Sequence, residues 1–133
     1  MYKLLIKYLQ RIGVDYSIIE SGKALDFTVE SPEGSWNCMM SISEQLGVGF
    51  YSTLHFVVPQ DKRTQVALYL MWLNNAHLVG NFELDLKTGD IRFKTYLDCN
   101  GIELTERAID RTMLVNVTTM QKHFAQIKEL AAA

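Results

Sequence analysis

Two cysteines and two prolines in 133 residues leave little to staple or kink this chain. Cys38 and Cys99 lie far apart and in no recurring motif. Such isolated thiols suit a reducing compartment, where a buried cysteine acts as a small hydrophobe, and no disulfide framework is expected. Long apolar runs are missing too. A membrane span needs about 20 consecutive apolar residues, and Lys3, Lys7 and Arg11 break up the one N-terminal stretch that could pass for a signal peptide. Nor is there an excess of one charge: 13 Lys+Arg stand against 15 Asp+Glu, a net charge of −2. Nucleic-acid binders carry a basic excess to displace counterions from phosphates. The expectation is one cytoplasmic domain, residues 1–133, that engages neither nucleic acid nor membrane.

Recognisable catalytic or cofactor motifs are also lacking. His55, His77 and His123 are scattered without helical His-x-x-x-His spacing, whereas zinc needs three or four converging ligands. There is no phosphate loop and no nucleophile elbow, and Gly47-Val48-Gly49 lacks the third glycine of a dinucleotide site. No metal, cofactor or catalytic residue is expected. Asn116-Val117-Thr118 spells a glycosylation acceptor but falls inside a predicted helix, a chance match.

Hydrophobic periodicity supplies the architecture. Leu4, Leu5, Tyr8, Leu9 and Ile12 recur at helical spacing, and Gly13 follows as a stop. Leu25, Phe27 and Val29 then alternate with polar residues, as in a half-buried strand. Trp36, Cys38, Met40 and Ile42 share one face of a second strand, and Phe50, Leu54 and Phe56 one face of a third, from about 48 to 57. Short links make this an antiparallel meander, with Ile18-Ile19 as a possible extra piece. Pro59 opens a helix over about 60–76 whose run Val66 to Leu73 is apolar on every side. A surface helix shows only a stripe, so burial on two sides is expected.

A hairpin follows, with Phe82, Leu84, Leu86, Ile91, Phe93 and Leu97 inward and Thr95 among them. With Lys87-Thr88-Gly89-Asp90 as the loop, Leu84 is expected opposite Phe93, setting Asp85 against Arg92 and Glu83 against Lys94. Opposite charges so placed contribute about 0.2–1 kcal/mol each. Thr105 is the predicted N-cap of a long last helix carrying Ile109, Met113, Val117, Met120, Phe124, Ile127 and Leu130 inward.

The predicted class is α+β in the order α-β-β-β-α-β-β-α. From about Leu68 onward the chain resembles the YbjN-type family of bacterial sensory-transduction regulator domains. The resemblance rests on Asn74, Asn75, Gly80-Asn81-Phe82, Leu84-Asp85, Thr88-Gly89, Arg92-Phe93, Thr95 and Leu104-Thr105. It implies a twisted antiparallel sheet with helices on one face, like the type III secretion chaperones, often dimeric, and no particular reaction.

The functional expectation is a non-enzymatic protein-binding module, chaperone-like or regulatory, that forms a homodimer and takes a protein or peptide partner. Val66, Tyr69, Leu70, Trp72 and Leu73 are the candidate subunit interface, and Met39 and Tyr51 a candidate partner surface on the outer sheet face. Asn81 and Thr95 are polar residues beside core positions, expected to be held by specific hydrogen bonds. The rival is a small-molecule or enzymatic pocket between the sheet and the last helix, with Asn81, Thr95 or His77 as its polar groups.

Overall fold

In a computed structural model, which describes residues 1–132, helix α1 (Tyr2–Ile12) leads into strands β1 (Tyr16–Ile19), β2 (Ala24–Ser31), β3 (Gly34–Ser43) and β4 (Gly47–Val57). Helix α2 (Arg63–Ala76), strands β5 (Asn81–Leu84) and β6 (Asp90–Asp98) and helix α3 (Glu106–Ala132) complete the chain. The expected order holds, with the Ile18-Ile19 piece added as β1. One antiparallel sheet runs β1-β2-β3-β4-β6-β5, so β6 crosses over to pair with β4 and leaves β5 at the edge.

All three helices pack on one face of this sheet, over the alternating residues that periodicity placed inward. Trp36, Cys38, Met40, Phe50, Ile91 and Phe93 are fully buried there. The core has two lobes. Under α1 and the start of α3, Leu5, Leu9, Leu25, Met40, Phe50 and Ile109 pack together. Under α2 and the end of α3, Trp36, Val66, Leu70, Phe93, Met120 and Ile127 do so. Val29 and Val117 touch both lobes.

The predicted helix ends are found. Gly13 adopts φ +77° and donates its N–H to Leu9 and Gln10. Thr105 Oγ1 accepts the Ala108 N–H at 3.1 Å and caps α3. After Pro59, however, Gln60–Lys62 form a 3₁₀ turn, and α2 begins only at Arg63.

The hairpin register differs from expectation by two residues: Phe82 faces Phe93, Glu83 faces Arg92 and Leu84 faces Ile91. The cause is Asp85. Its carboxylate accepts the N–H groups of Lys87 (2.8 Å) and Thr88 (3.3 Å), which turns the chain early and leaves Leu86 exposed in the loop. Because side chains alternate with period two, a two-residue slip keeps the face of each residue that stays in a strand; Leu86, expected inward, is the one that loses its place. The charge pairing survives in altered form. Glu83 bonds Arg92 at 2.6 Å and Lys94 at 3.3 Å, while Asp85 pairs with no strand cation. Burial pushes the Glu83 carboxyl up, but the bonds from Arg92 and Lys94 hold it below its usual value.

Candidate binding surfaces

The polar residues nearest the core are spent on architecture. Asn116, fully buried in α3, reaches the sheet through its side-chain amide. The amide nitrogen donates to the carbonyls of Phe50 (3.0 Å) and Phe93 (3.1 Å) and to Thr95 Oγ1 (3.1 Å). Its oxygen accepts the Ser52 hydroxyl, which in turn accepts the Trp36 indole N–H at 3.1 Å. Thr95 is therefore held by a hydrogen bond. Asn81 is not its neighbour: it lies half-buried on the outer face opposite Lys94, and Thr95 points inward.

Two of the residues that carried the family resemblance, Asn74 and Asp85, lock the β5 edge and the hairpin, and Arg63 joins them. The Asn74 carboxamide, on the last turn of α2, takes the Phe82 N–H (2.6 Å) and donates to the Phe82 carbonyl (3.0 Å). A side chain thus occupies hydrogen-bonding groups that an edge strand would otherwise offer to another chain. Arg63, at the start of α2, spreads over four carbonyls, those of Val58, Leu86, Lys87 and Thr88, at 2.9–3.2 Å. One guanidinium so ties β4, α2 and the hairpin loop together.

Helix α2 corrects an expectation. Val66, Leu70 and Leu73 lie in the core and are closed to any partner, and Tyr69 is half-buried. The run is covered on one side only. Leu68, Met71 and Trp72 point away from the sheet, 63%, 68% and 67% exposed, and the Tyr69 and Trp72 rings lie 6.1 Å apart. On the outer sheet face Met39 pairs with Tyr51, both half-buried, and the Arg92 guanidinium lies 4.7 Å over the Tyr51 ring.

Two histidines that looked scattered meet. His77, just past α2, and His123, on α3, bring their Nε2 atoms to 3.0 Å, packed edge-on against Phe93 and Phe82. One ring must donate and the other accept, so the bond requires unlike tautomers. Burial, followed by the nearness of His77 and Lys122, lowers the His123 pKa from the usual 6.5. A group whose folded pKa is depressed gives stability that is complete above its unfolded value and is lost as pH falls from there through its folded value. Urea titrations from about pH 7 down to about pH 5.5 are therefore expected to show declining stability. His123→Gln should flatten that decline, and an unchanged slope in the variant would rule the pair out as its source.

No three histidines, cysteines or carboxylates cluster as a metal site among the described residues. The thiols are unpaired, and burial pushes Cys38 up to about 12, which leaves it unreactive. No described helix is long and apolar enough to cross a membrane. Between α1, β2 and α3 lies a shallow groove of about 320 Å³. Asn81, Thr95 and His77 do not line it; its polar residues are Tyr8, Thr28, Glu30 and Asp110.

Comparison with known proteins accords with this geometry. None of the curated proteins matches the chain. A crystal structure of YbjN from E. coli, described as a "putative transcription regulator", superposes with a TM-score of 0.77 over 97% of this chain and 92% of that one. At 11% identity, that likeness speaks for the fold. The family model YbjN, described as "Putative bacterial sensory transduction regulator", matches residues 2–129. It takes in α1 and the meander as well as the segment after Leu68, and the chain belongs to the YbjN family.

Proposed function

We propose that this protein is a non-enzymatic regulatory module of the bacterial cytoplasm that pairs with a second copy of itself and binds a protein partner in a chaperone-like manner. The observation that carries this reading is the outward face of α2. Leu68, Met71 and Trp72 are large, apolar and mostly exposed on a helix whose other side is fully used. Contiguous apolar surface of this kind marks interaction sites, and a two-fold pairing sets one such face against itself. Trp72, with Tyr69 beside it, has the makings of an interface hot spot. Regulatory character fits the family description. A cytoplasmic setting fits the two unpaired thiols.

Light scattering and sedimentation at micromolar concentration are expected to give a dimer. Trp72→Glu should weaken it about thirtyfold or more, the equivalent of losing about 2 kcal/mol at a hot spot. A monomeric native chain would sink the dimer. A second reading, a small-molecule site, is favoured by one observation, the apolar groove between α1, β2 and α3.

A further inference from the structure

We propose that His77 and His123 form a two-ligand site for a soft monovalent cation, Cu(I) or Ag(I), held in line between their Nε2 atoms. The proposal stands apart from the dimer and from the groove. His77 lies in the connector after α2 and His123 within α3, so only the fold brings them together. Their Nε2 atoms are 3.0 Å apart, the ring planes cross at 80° and the centroids are 5.2 Å apart. With the nitrogens so much closer than the centroids, each ring turns its Nε2 towards the other, nearly head-on. Neither Nδ1 has a protein partner, and no buried side-chain nitrogen goes unbonded among the described residues, so both Nδ1 atoms reach water. A histidine that keeps its proton on Nδ1 offers Nε2 as a metal-binding lone pair. With both rings in that form, two lone pairs face one another across a gap that a cation can fill.

The surroundings select the cation. Phe93 packs edge-on against His77 and Phe82 against His123, and these two aromatic rings lie 4.7 Å apart. No third histidine, cysteine or carboxylate joins the pair among the described residues. Zinc needs three or four ligands, and calcium or magnesium needs oxygen atoms. Copper(I) and silver(I) are satisfied by two neutral nitrogens placed in line, which is what the pair presents. A metal–nitrogen bond of about 2.0 Å on each side sets the nitrogens about 4 Å apart, so the rings must part by about 1 Å. His77 can supply that movement. It sits in extended backbone past the end of α2, and the connector beyond it is unpacked, with Leu78 103% and Val79 55% exposed. An ion bound there would clamp the end of α2 to α3.

Silver(I) is the probe, because it has no redox chemistry under these conditions. It is titrated without chloride at about pH 7.5, since a ligating imidazole must be neutral. The full chain is used both as it is and with Cys38→Ala and Cys99→Ser, which remove competing thiols. Imidazole nitrogen NMR reads each ring separately, so the native chain remains informative whatever its thiols bind. One equivalent is expected to saturate the site, moving the Nε2 signals of both histidines and leaving Nδ1 protonated. In the thiol-free chain, silver should also raise the thermal midpoint, as a ligand of the folded state does. His77→Gln and His123→Gln should each weaken binding by about 100-fold or more, beyond the about 10–100-fold of a lost outer partner. Both variants should lose the thermal shift. Zinc(II) should bind about tenfold more weakly than silver or worse, for want of further ligands. Zinc binding as tight as silver would overturn the choice of a two-coordinate cation. A shift confined to one histidine, binding that survives either glutamine variant, or no saturable shift would overturn the site.

Discussion

Asn116→Leu is expected to destabilise the fold by about 3–5 kcal/mol, a large share of the about 5–15 kcal/mol that holds a typical domain together. Leucine branches as asparagine does but is bulkier, so the deficit comes from the lost network with some overpacking, and not from a cavity. The native amide nitrogen serves two main-chain carbonyls and the Thr95 hydroxyl, and its oxygen receives the Ser52 hydroxyl, all of it away from water. Each buried group stranded without a partner costs about 1–3 kcal/mol. The Ser52 hydrogen is left with no acceptor, while its oxygen still holds the Trp36 indole N–H. Adding Thr95→Val should return part of the loss, because deleting both partners of a hydrogen bond costs less than stranding one. Urea denaturation of the two variants beside the native chain would read this out. A loss below about 1 kcal/mol for the single variant would mean that the network contributes little.

Asn116 also marks the limit of what could be read before the fold was in hand. The stripe from Ile109 through Met113 to Met120 passes over position 116 at helical spacing, so the pattern already placed an amide inward. Polarity hid it, since the motif around it drew attention as a glycosylation acceptor. In the strands, period-two alternation separated inner from outer residues correctly, even where the hairpin slipped, because that alternation tolerates a shift of two. The slip was out of reach because it depends on a local contest for backbone donors that the Asp85 carboxylate wins. Composition could not say which side of α2 the core would claim. Leu68, Met71 and Trp72 are as apolar as Val66, Leu70 and Leu73, and only the geometry of packing tells them apart. The His77–His123 pair and the groove join segments far apart in sequence, and one chain carries no spacing signal for such meetings. The residues behind the family resemblance were visible as a pattern, but their purpose emerged only once Asn74 was seen holding the β5 edge.

Gly89→Ala is expected to cost about 3–4 kcal/mol, through a route that a second substitution can expose. Gly89 sits at φ +85°, where an alanine carries roughly 1–2 kcal/mol of backbone strain. Its Cβ would also collide with the Val58 carbonyl oxygen and lie 3.0 Å from Arg63 Nε and Nη2. That carbonyl accepts Arg63 Nε at 2.9 Å, and the Val58 N–H donates to the Gly89 carbonyl at 2.8 Å, so pushing it aside strains two hydrogen bonds at once. Arg63→Ala alone should cost about 2 kcal/mol, the scale of charge-assisted bonds to partly exposed carbonyls. If the alanine methyl acts by displacing Val58 from Arg63, the damage is shared. The double variant should then be more stable than the sum of the singles predicts, by about 0.5–3 kcal/mol. Simple additivity in a denaturation cycle would instead confine the Gly89 effect to its own backbone. Coupling would identify Arg63, Val58 and Gly89 as one latch, in which the family's Thr-Gly turn is a glycine because the strand-end carbonyl and the guanidinium fill the space where a side chain would go.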